Sequence, residues 1–99
     1  MFLAHMDVVP VEPGTQADWE QRPFSGAVVG GEIWGRGAMD DKTAVVGLLE
    51  ATEALLANDF EPQRTIVLAF GHDEEVGGSQ GATVMAARFE QASQRFAMI

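Results

Sequence analysis

The chain of 99 residues combines 46% hydrophobic with 21% charged residues, a composition that is typical of one small folded domain and argues against intrinsic disorder. Its net charge of −9 argues against nucleic acid or an anionic membrane surface as a partner, and the absence of cysteine excludes disulfides and thiolate metal sites while leaving the compartment open. No apolar run reaches the roughly 18 residues that a membrane-spanning segment needs.

The first part of the chain predicts a strand, a long loop and a hairpin. Residues 1–9 are mostly apolar and run into Pro10, which favours a buried strand ending at the proline. The loop over residues 11–26 is punctuated by prolines and glycines, and such a long irregular connection is usually functional or an insertion. Gly30 and Gly31 then separate two short runs of strand-forming residues, which is a two-residue hairpin signal.

The second part of the chain alternates helices with strands. Apolar residues spaced i, i+3 and i+4 predict a helix over residues 43–58, and an unbroken apolar run predicts a buried parallel strand over residues 64–70. A second amphipathic helix follows around residues 82–89, and residues 96–99 are expected to start another strand. This order predicts an α/β fold with a mostly parallel sheet and helices on its faces.

Three acid-bearing segments each follow an apolar stretch of the sequence. They are residues 5–7 (HMD), residues 38–41 (AMDD) and residues 73–75 (DEE). Because ligands of α/β sheets bind beyond the carboxyl ends of the strands, we expect the three segments to meet at one edge of the sheet. One imidazole with several carboxylates is a ligand set for a hard or borderline metal ion, and zinc is the leading candidate.

Each of these segments also has an ordinary structural explanation. An acidic run such as residues 73–75 is commonly a solvated loop or the first turn of a helix. Capping of the following helix would by itself explain either Asp40 or Asp41. A single histidine near a strand end, such as His5, is more often structural than a ligand. The expected meeting of all three segments at one edge is what favours the metal site.

Adjacent glutamates suit a hydrolytic site that contains two metal ions. Paired metals sit about 3.5–4 Å apart, and a shared carboxylate between them offsets their mutual repulsion. A carboxylate that is not a ligand can take the proton from the attacking water. Glu74 and Glu75 could divide these two roles, one facing the metal and the other the water.

The same segments resemble the M20 family of di-zinc aminoacylases and carboxypeptidases. The matching motifs are residues 5–10 (HMDVVP), 34–42 (WGRGAMDDK) and 73–78 (DEEVGG). Two further segments resemble the carboxypeptidase S and N-acyl-amino-acid hydrolase branch of that family: Trp19 with residues 23–26 (PFSG), and residues 64–66 (RTI). The resemblance covers nearly the whole chain, and three linked motifs in the right order are highly specific.

The resemblance implies a role for each candidate site residue. His5 would bind one zinc ion, Asp40 would bridge the two ions, and Glu75 would bind the other. Glu74 would be the general base, and Asp7 would accept the second ring N–H of His5 and so fix its tautomer. We expect Asp40 to approach both His5 and Glu75 to roughly 3–4 Å, or to within about 6 Å where no metal is present.

The resemblance also implies the cofactor, the substrates and a cis peptide bond. The cofactor would be two Zn²⁺ ions, although Co²⁺ or Mn²⁺ could occupy the same ligands. Substrates would be N-acyl amino acids or small peptides with a free C-terminal carboxylate, hydrolysed at the amide bond. The bond between Asp40 and Asp41 would be cis, and His72 would be structural.

The resemblance further predicts that residues 1–99 are only part of a metallopeptidase catalytic domain. Family members add a carboxylate ligand after the strand expected at Phe96, a later histidine ligand, and a lid domain that usually makes a homodimer contact. We therefore expect this piece to be inactive alone. Two alternatives stay open from the sequence: a non-catalytic metal-binding remnant and an unrelated acidic α/β interaction module.

Overall fold

The computed structural model describes residues 1–98, which form four strands and two α-helices. In chain order these are β1 (Phe2–His5), β2 (Ala27–Val29), β3 (Glu32–Trp34), α1 (Thr43–Ala57), β4 (Leu68–Gly71) and α2 (Ala82–Gln91). Short 3-10 turns cover Gln16–Asp18 and Glu74–Val76, and a kinked segment, Ala38–Lys42, leads into α1. None of the helices in this part of the chain is long and apolar enough to cross a membrane.

Strands β1 and β4 pair in parallel, as the alternation of strands and helices predicted. Phe2 lies opposite Leu68 and His5 lies opposite Gly71, so both strands end at the same level. Because parallel strands point the same way, the segments that follow His5 and Gly71 leave the sheet at one edge. The α/β character of the prediction is therefore confirmed at the level of this sheet.

The predicted hairpin is present and forms a separate sheet. Strands β2 and β3 pair antiparallel, with Val29 opposite Glu32. Gly30 and Gly31 make the connection with φ angles of 62° and 85°. Positive φ at both central positions is what a tight hairpin turn requires, and glycine adopts it without steric penalty. Within residues 1–98 this hairpin does not join the β1–β4 sheet.

The two helices pack only lightly against the sheet. Neither α1 nor α2 contains a residue that is fully buried, and the apolar core of the described chain consists of Ala4 and Ala69. The body is flat, with extents of 49 × 36 × 15 Å and a radius of gyration of 16.9 Å. A compact domain of this length would have a radius of gyration of about 13 Å. Much of the apolar surface on α1 and the sheet is therefore open to solvent.

Several predicted boundaries were wrong. Strand β1 ends at His5, well before Pro10, because its partner β4 ends opposite it at Gly71. Strand β4 begins only at Leu68, opposite Phe2, and the residue before it is joined to β1 by one hydrogen bond, from the Phe2 N–H to the Val67 carbonyl. Residues 96–98 form no strand, and Ile99 lies outside the described residues.

Candidate metal centre

The imidazole of His5 lies at the edge where the parallel sheet ends. His5 is the last residue of β1 and is only 7% exposed, because β4 and the segment before α1 flank it. Its Nε2 atom lies 2.9 Å from Oδ1 of Asp40, which comes from that segment. A buried imidazole at a strand end is thus already in contact with one predicted carboxylate ligand.

The kinked segment Ala38–Lys42 brings both of its aspartates to His5. Asp40 and Asp41 have non-helical backbone angles, and the peptide bond between them is cis, as the family resemblance implied. The carboxylate of Asp40 faces the His5 ring, whereas Oδ2 of Asp41 accepts the backbone N–H of His5 at 3.2 Å. The alternative explanation by helix capping does not hold, since α1 has no side-chain cap at its start and Asp41 is bonded to β1 instead.

Lys42 connects the same segment to the end of β1 by a hydrogen bond. Its Nζ atom donates a hydrogen bond of 2.8 Å to the carbonyl oxygen of Met6, directly after His5. The hydroxyl of Thr43, the first residue of α1, bonds to the carbonyl oxygen of Ala38. These two bonds hold the aspartates between β1 and α1.

Glu75 completes a group of three ligand atoms. One atom each from His5, Asp40 and Glu75 lie within 4.8 Å of one another, which meets the expected convergence within about 6 Å. Oε1 of Glu75 is buried and has no hydrogen-bond partner within residues 1–98. A buried carboxylate oxygen without a partner is energetically unfavourable unless a cation or a proton meets it.

The neighbouring Glu74 has a different environment. Its side chain is 61% exposed, and its Oε2 atom lies 3.6 Å from Nε2 of His5. It does not belong to the convergent group, although it is close enough to reach a molecule bound there. The two glutamates of the 3-10 turn Glu74–Val76 therefore differ in exposure. Glu75 is partly buried, whereas Glu74 is open to solvent.

Asp7 contacts both the ring of His5 and the turn that carries the two glutamates. Its carbonyl oxygen is 3.2 Å and its Oδ1 atom 3.3 Å from Nδ1 of His5. Its two carboxylate oxygens also accept the backbone N–H groups of Glu74 at 3.2 Å and Glu75 at 3.1 Å. The sequence predicted only the contact with His5. The second contact requires the register between β1 and β4, which no local sequence pattern reveals.

Charges around the centre shift two pKa values in opposite directions. Burial lowers the pKa of His5, but the hydrogen bond with Asp40 and the charge of Glu74 outweigh burial, so this pKa is raised above 6.5. Burial raises the pKa of Asp7, but the N–H groups of Glu75 and Glu74 outweigh it together, so this pKa falls below 3.8. Both pKa shifts favour the charged form of the group, which is the protonated imidazole for His5 and the ionised carboxylate for Asp7.

The residues present fit a zinc-type ion. Imidazole nitrogen and carboxylate oxygen are ligands that zinc accepts, one carboxylate oxygen of Glu75 converges with His5 and Asp40, and Oε1 of the same carboxylate is buried without a partner within residues 1–98. His72, for which the resemblance implied a structural role and no metal role, is exposed and does not belong to this group.

Comparison with known proteins agrees with the resemblance of the motifs. Residues 1–99 match the family described as Peptidase family M20/M25/M40. The chain is 40% identical over its whole length to the N-fatty-acyl-amino acid synthase/hydrolase PM20D1 of Xenopus tropicalis, and equally to that of Homo sapiens, covering 19% of each. It is 50% identical over 82 residues to the probable carboxypeptidase S-like 2 of Dictyostelium discoideum, covering 83% of this chain and 15% of that protein.

The chain thus spans less than a fifth of the length of these curated relatives. The match extends over every residue from 1 to 99 and includes all three motifs. The chain therefore belongs to the peptidase family M20/M25/M40.

Proposed function

We propose that this chain supplies part of the active site of a zinc-dependent amidohydrolase that cleaves N-acyl amino acids or C-terminal peptide bonds. The observation that carries the proposal is the convergence of His5, Asp40 and Glu75, and Glu75 also has a buried oxygen without a hydrogen-bond partner within residues 1–98. The names of the relatives, N-fatty-acyl-amino acid synthase/hydrolase and carboxypeptidase S-like protein, support this substrate class.

The three converging side chains would hold the metal. His5 would contribute Nε2 and Glu75 would contribute Oε1, while the exposed carboxylate of Asp40 has two oxygens and could be shared between two ions. Zinc bound there would polarise the scissile carbonyl and lower the pKa of a nearby water molecule.

Glu74 would move the proton in this reaction. Its exposed carboxylate lies beside the converging group but outside it, so it can accept a proton from the attacking water. The water oxygen forms the new bond to the carbonyl carbon, the C–N bond breaks, and Glu74 returns the proton to the leaving nitrogen. The products are an amine and a carboxylic acid, which then loses its proton to become a carboxylate.

Asp7 would keep His5 in the form that binds a cation. Its carbonyl and carboxylate oxygens both face Nδ1 of the ring, so a proton on Nδ1 is favoured there. The lone pair of Nε2 is then free for the metal.

We further propose that residues 1–99 act as part of a larger catalytic domain and have no turnover alone. The family resemblance adds a carboxylate and a histidine ligand to the three side chains described above, and also a lid and dimerisation domain. Catalysis would require those additional ligands.

A chimera tests this function directly. Residues 1–99 would replace the matching segment of the Xenopus relative, with which they share 40% identity over their whole length. We expect the chimera to hydrolyse an N-acyl amino acid. In the same chimera, Glu74→Ala should abolish turnover while zinc content stays intact.

Two results would contradict the proposal. One is a folded, zinc-loaded chimera without hydrolysis. The other is a Glu74→Ala chimera that keeps its full rate, because the proton transfer would then not depend on this carboxylate.

A further inference from the structure

Asp73 is a buried carboxylate that the proposed reaction does not use. It is only 9% exposed and does not belong to the convergent ligand group of the described residues. Its Oδ2 atom accepts the backbone N–H of Gln80 at 2.6 Å, whereas Oδ1 has no hydrogen-bond partner within residues 1–98. Burial of a carboxylate with one such bond is unfavourable, so its position calls for a structural reason.

The backbone of Asp73 closes the turn that carries the two glutamates. Its carbonyl oxygen accepts the N–H of Val76 at 3.3 Å and that of Gly78 at 2.7 Å. With the side-chain bond to Gln80, a single residue thus fastens three points of the loop between β4 and α2. Glu74 and Glu75 lie inside the loop so fastened.

Asp7 holds the same turn from the opposite side. Its carboxylate accepts the N–H groups of Glu74 and Glu75, and it comes from the end of β1. Asp73 also lies on the wall of a cavity of about 190 Å³ that His5 and Glu74 line. A displacement of the Asp73 carboxylate would therefore change both the conformation of the turn and the wall of the cavity.

We infer that Asp73 is a positioning residue that sets the orientation of Glu74 and Glu75 by fastening their turn to the start of α2. This inference rests on the proposed metal site, because its consequence is a correctly directed Glu75. It also predicts that a substitution at the contact between Asp73 and Gly81 weakens metal binding, although neither residue is a predicted ligand.

Gly81 is the residue that allows Asp73 its position. A Cβ atom on Gly81 would overlap Oδ1 of Asp73 and would lie 3.3 Å from the backbone nitrogen of His72. The φ and ψ angles of Gly81 are −100° and −94°, which lie outside the main regions that alanine populates, so Gly81→Ala adds backbone strain to the overlap. Gly81→Ala should therefore displace the Asp73 carboxylate and the backbone beside it, and it changes no predicted ligand.

Four variants of the full chain separate this role from general damage. Asp73→Ala removes the acceptor for the Gln80 N–H, whereas Asp73→Asn keeps an oxygen there. Gly81→Ala introduces the overlap, whereas Gly47→Ala makes the same chemical change in α1 with nothing within 4 Å of the new Cβ.

The first measurement is zinc affinity by titration against a chelating indicator, together with the visible absorption spectrum of the Co²⁺-loaded chain. We expect Asp73→Ala and Gly81→Ala to weaken zinc binding by about 10-fold or more, as residues that orient ligands do, and to change the Co²⁺ spectrum. Asp73→Asn and Gly47→Ala should retain the wild-type affinity and spectrum. Wild-type affinity in both Asp73→Ala and Gly81→Ala would overturn the inference.

The second measurement is hydrogen exchange of the metal-free chain, which does not depend on the metal site. The amides of Val76 and Gly78 should exchange faster in Asp73→Ala and Gly81→Ala than in Gly47→Ala. A chimera with wild-type residues 1–99 that binds no zinc would refute the proposed function, and exchange at these amides would then decide the role of Asp73 in the turn. Unchanged exchange would overturn that role as well.

Discussion

Replacement of Gly37 by alanine should destabilise the segment that carries Asp40. Gly37 has a φ angle of 77°, and a Cβ atom there would overlap Cγ1 of Val8, which is half-buried beyond β1. Left-handed backbone costs a non-glycine residue roughly 1–2 kcal/mol. Overpacking costs about 1–3 kcal/mol, and we take about 1–2 kcal/mol because Val8 can partly move. The free energy of unfolding should therefore fall by about 2–4 kcal/mol.

Gly30→Ala is the matched control for this prediction. Gly30 also has a positive φ angle, 62°, but nothing lies within 4 Å of a Cβ atom at that position. The control should therefore lose only the backbone part, roughly 1–2 kcal/mol. Urea unfolding of both variants, followed by circular dichroism, measures the difference. Equal losses for the two variants would refute the reasoning, because the contact with Val8 would then have no energetic effect.

Two further predictions concern the residues around the metal centre. Asp7→Ala should weaken zinc affinity by roughly 10–100-fold. The substitution removes the acceptor for the Glu74 and Glu75 N–H groups, and it removes the carboxylate contact with the His5 ring. An unchanged affinity in a zinc titration would count against that role of Asp7. In the chimera, Glu75→Ala should lower zinc content as well as turnover, whereas Glu74→Ala should lower turnover only, and elemental analysis of both proteins checks this. If the two variants exchanged these results, the roles of the two glutamates would be reversed.

The sequence predicted the convergence of the three side chains better than it predicted the strands around them. His5 and Glu75 follow the parallel strands β1 and β4, so their meeting at one edge could be inferred without coordinates. Asp40 follows the separate hairpin and reaches the same edge through the kinked segment Ala38–Lys42, which the pairing of parallel strands does not predict. Strand length depends instead on the partner strand. Residues 1–9 are apolar enough to continue β1, yet its ladder ends at His5 because β4 ends at Gly71.

The role of Asp41 shows a second limit of prediction from the sequence. An aspartate directly before a helix is a common N-cap, but here Oδ2 of Asp41 accepts the N–H of His5. The two contacts of Asp7 with the glutamate turn were missed for the same reason. These bonds join residues that are far apart in the chain, and only the tertiary register brings them together.

The apolar surface of the helices is a third example. The spacing of leucines and valines in α1 predicted a buried face, but Leu49 is 47% exposed and Leu56 is 66% exposed. Periodicity indicates which side of a helix is apolar, and it does not indicate what covers that side.

The central claim is that His5, Asp40 and Glu75 bind zinc, and anomalous X-ray diffraction at the zinc absorption edge tests it most directly. Crystals of the chain grown with zinc should show an anomalous peak about 2.0–2.2 Å from Nε2 of His5 and from a carboxylate oxygen of Asp40 or Glu75. A peak found only elsewhere on the surface, for example beside His72, would contradict the claim.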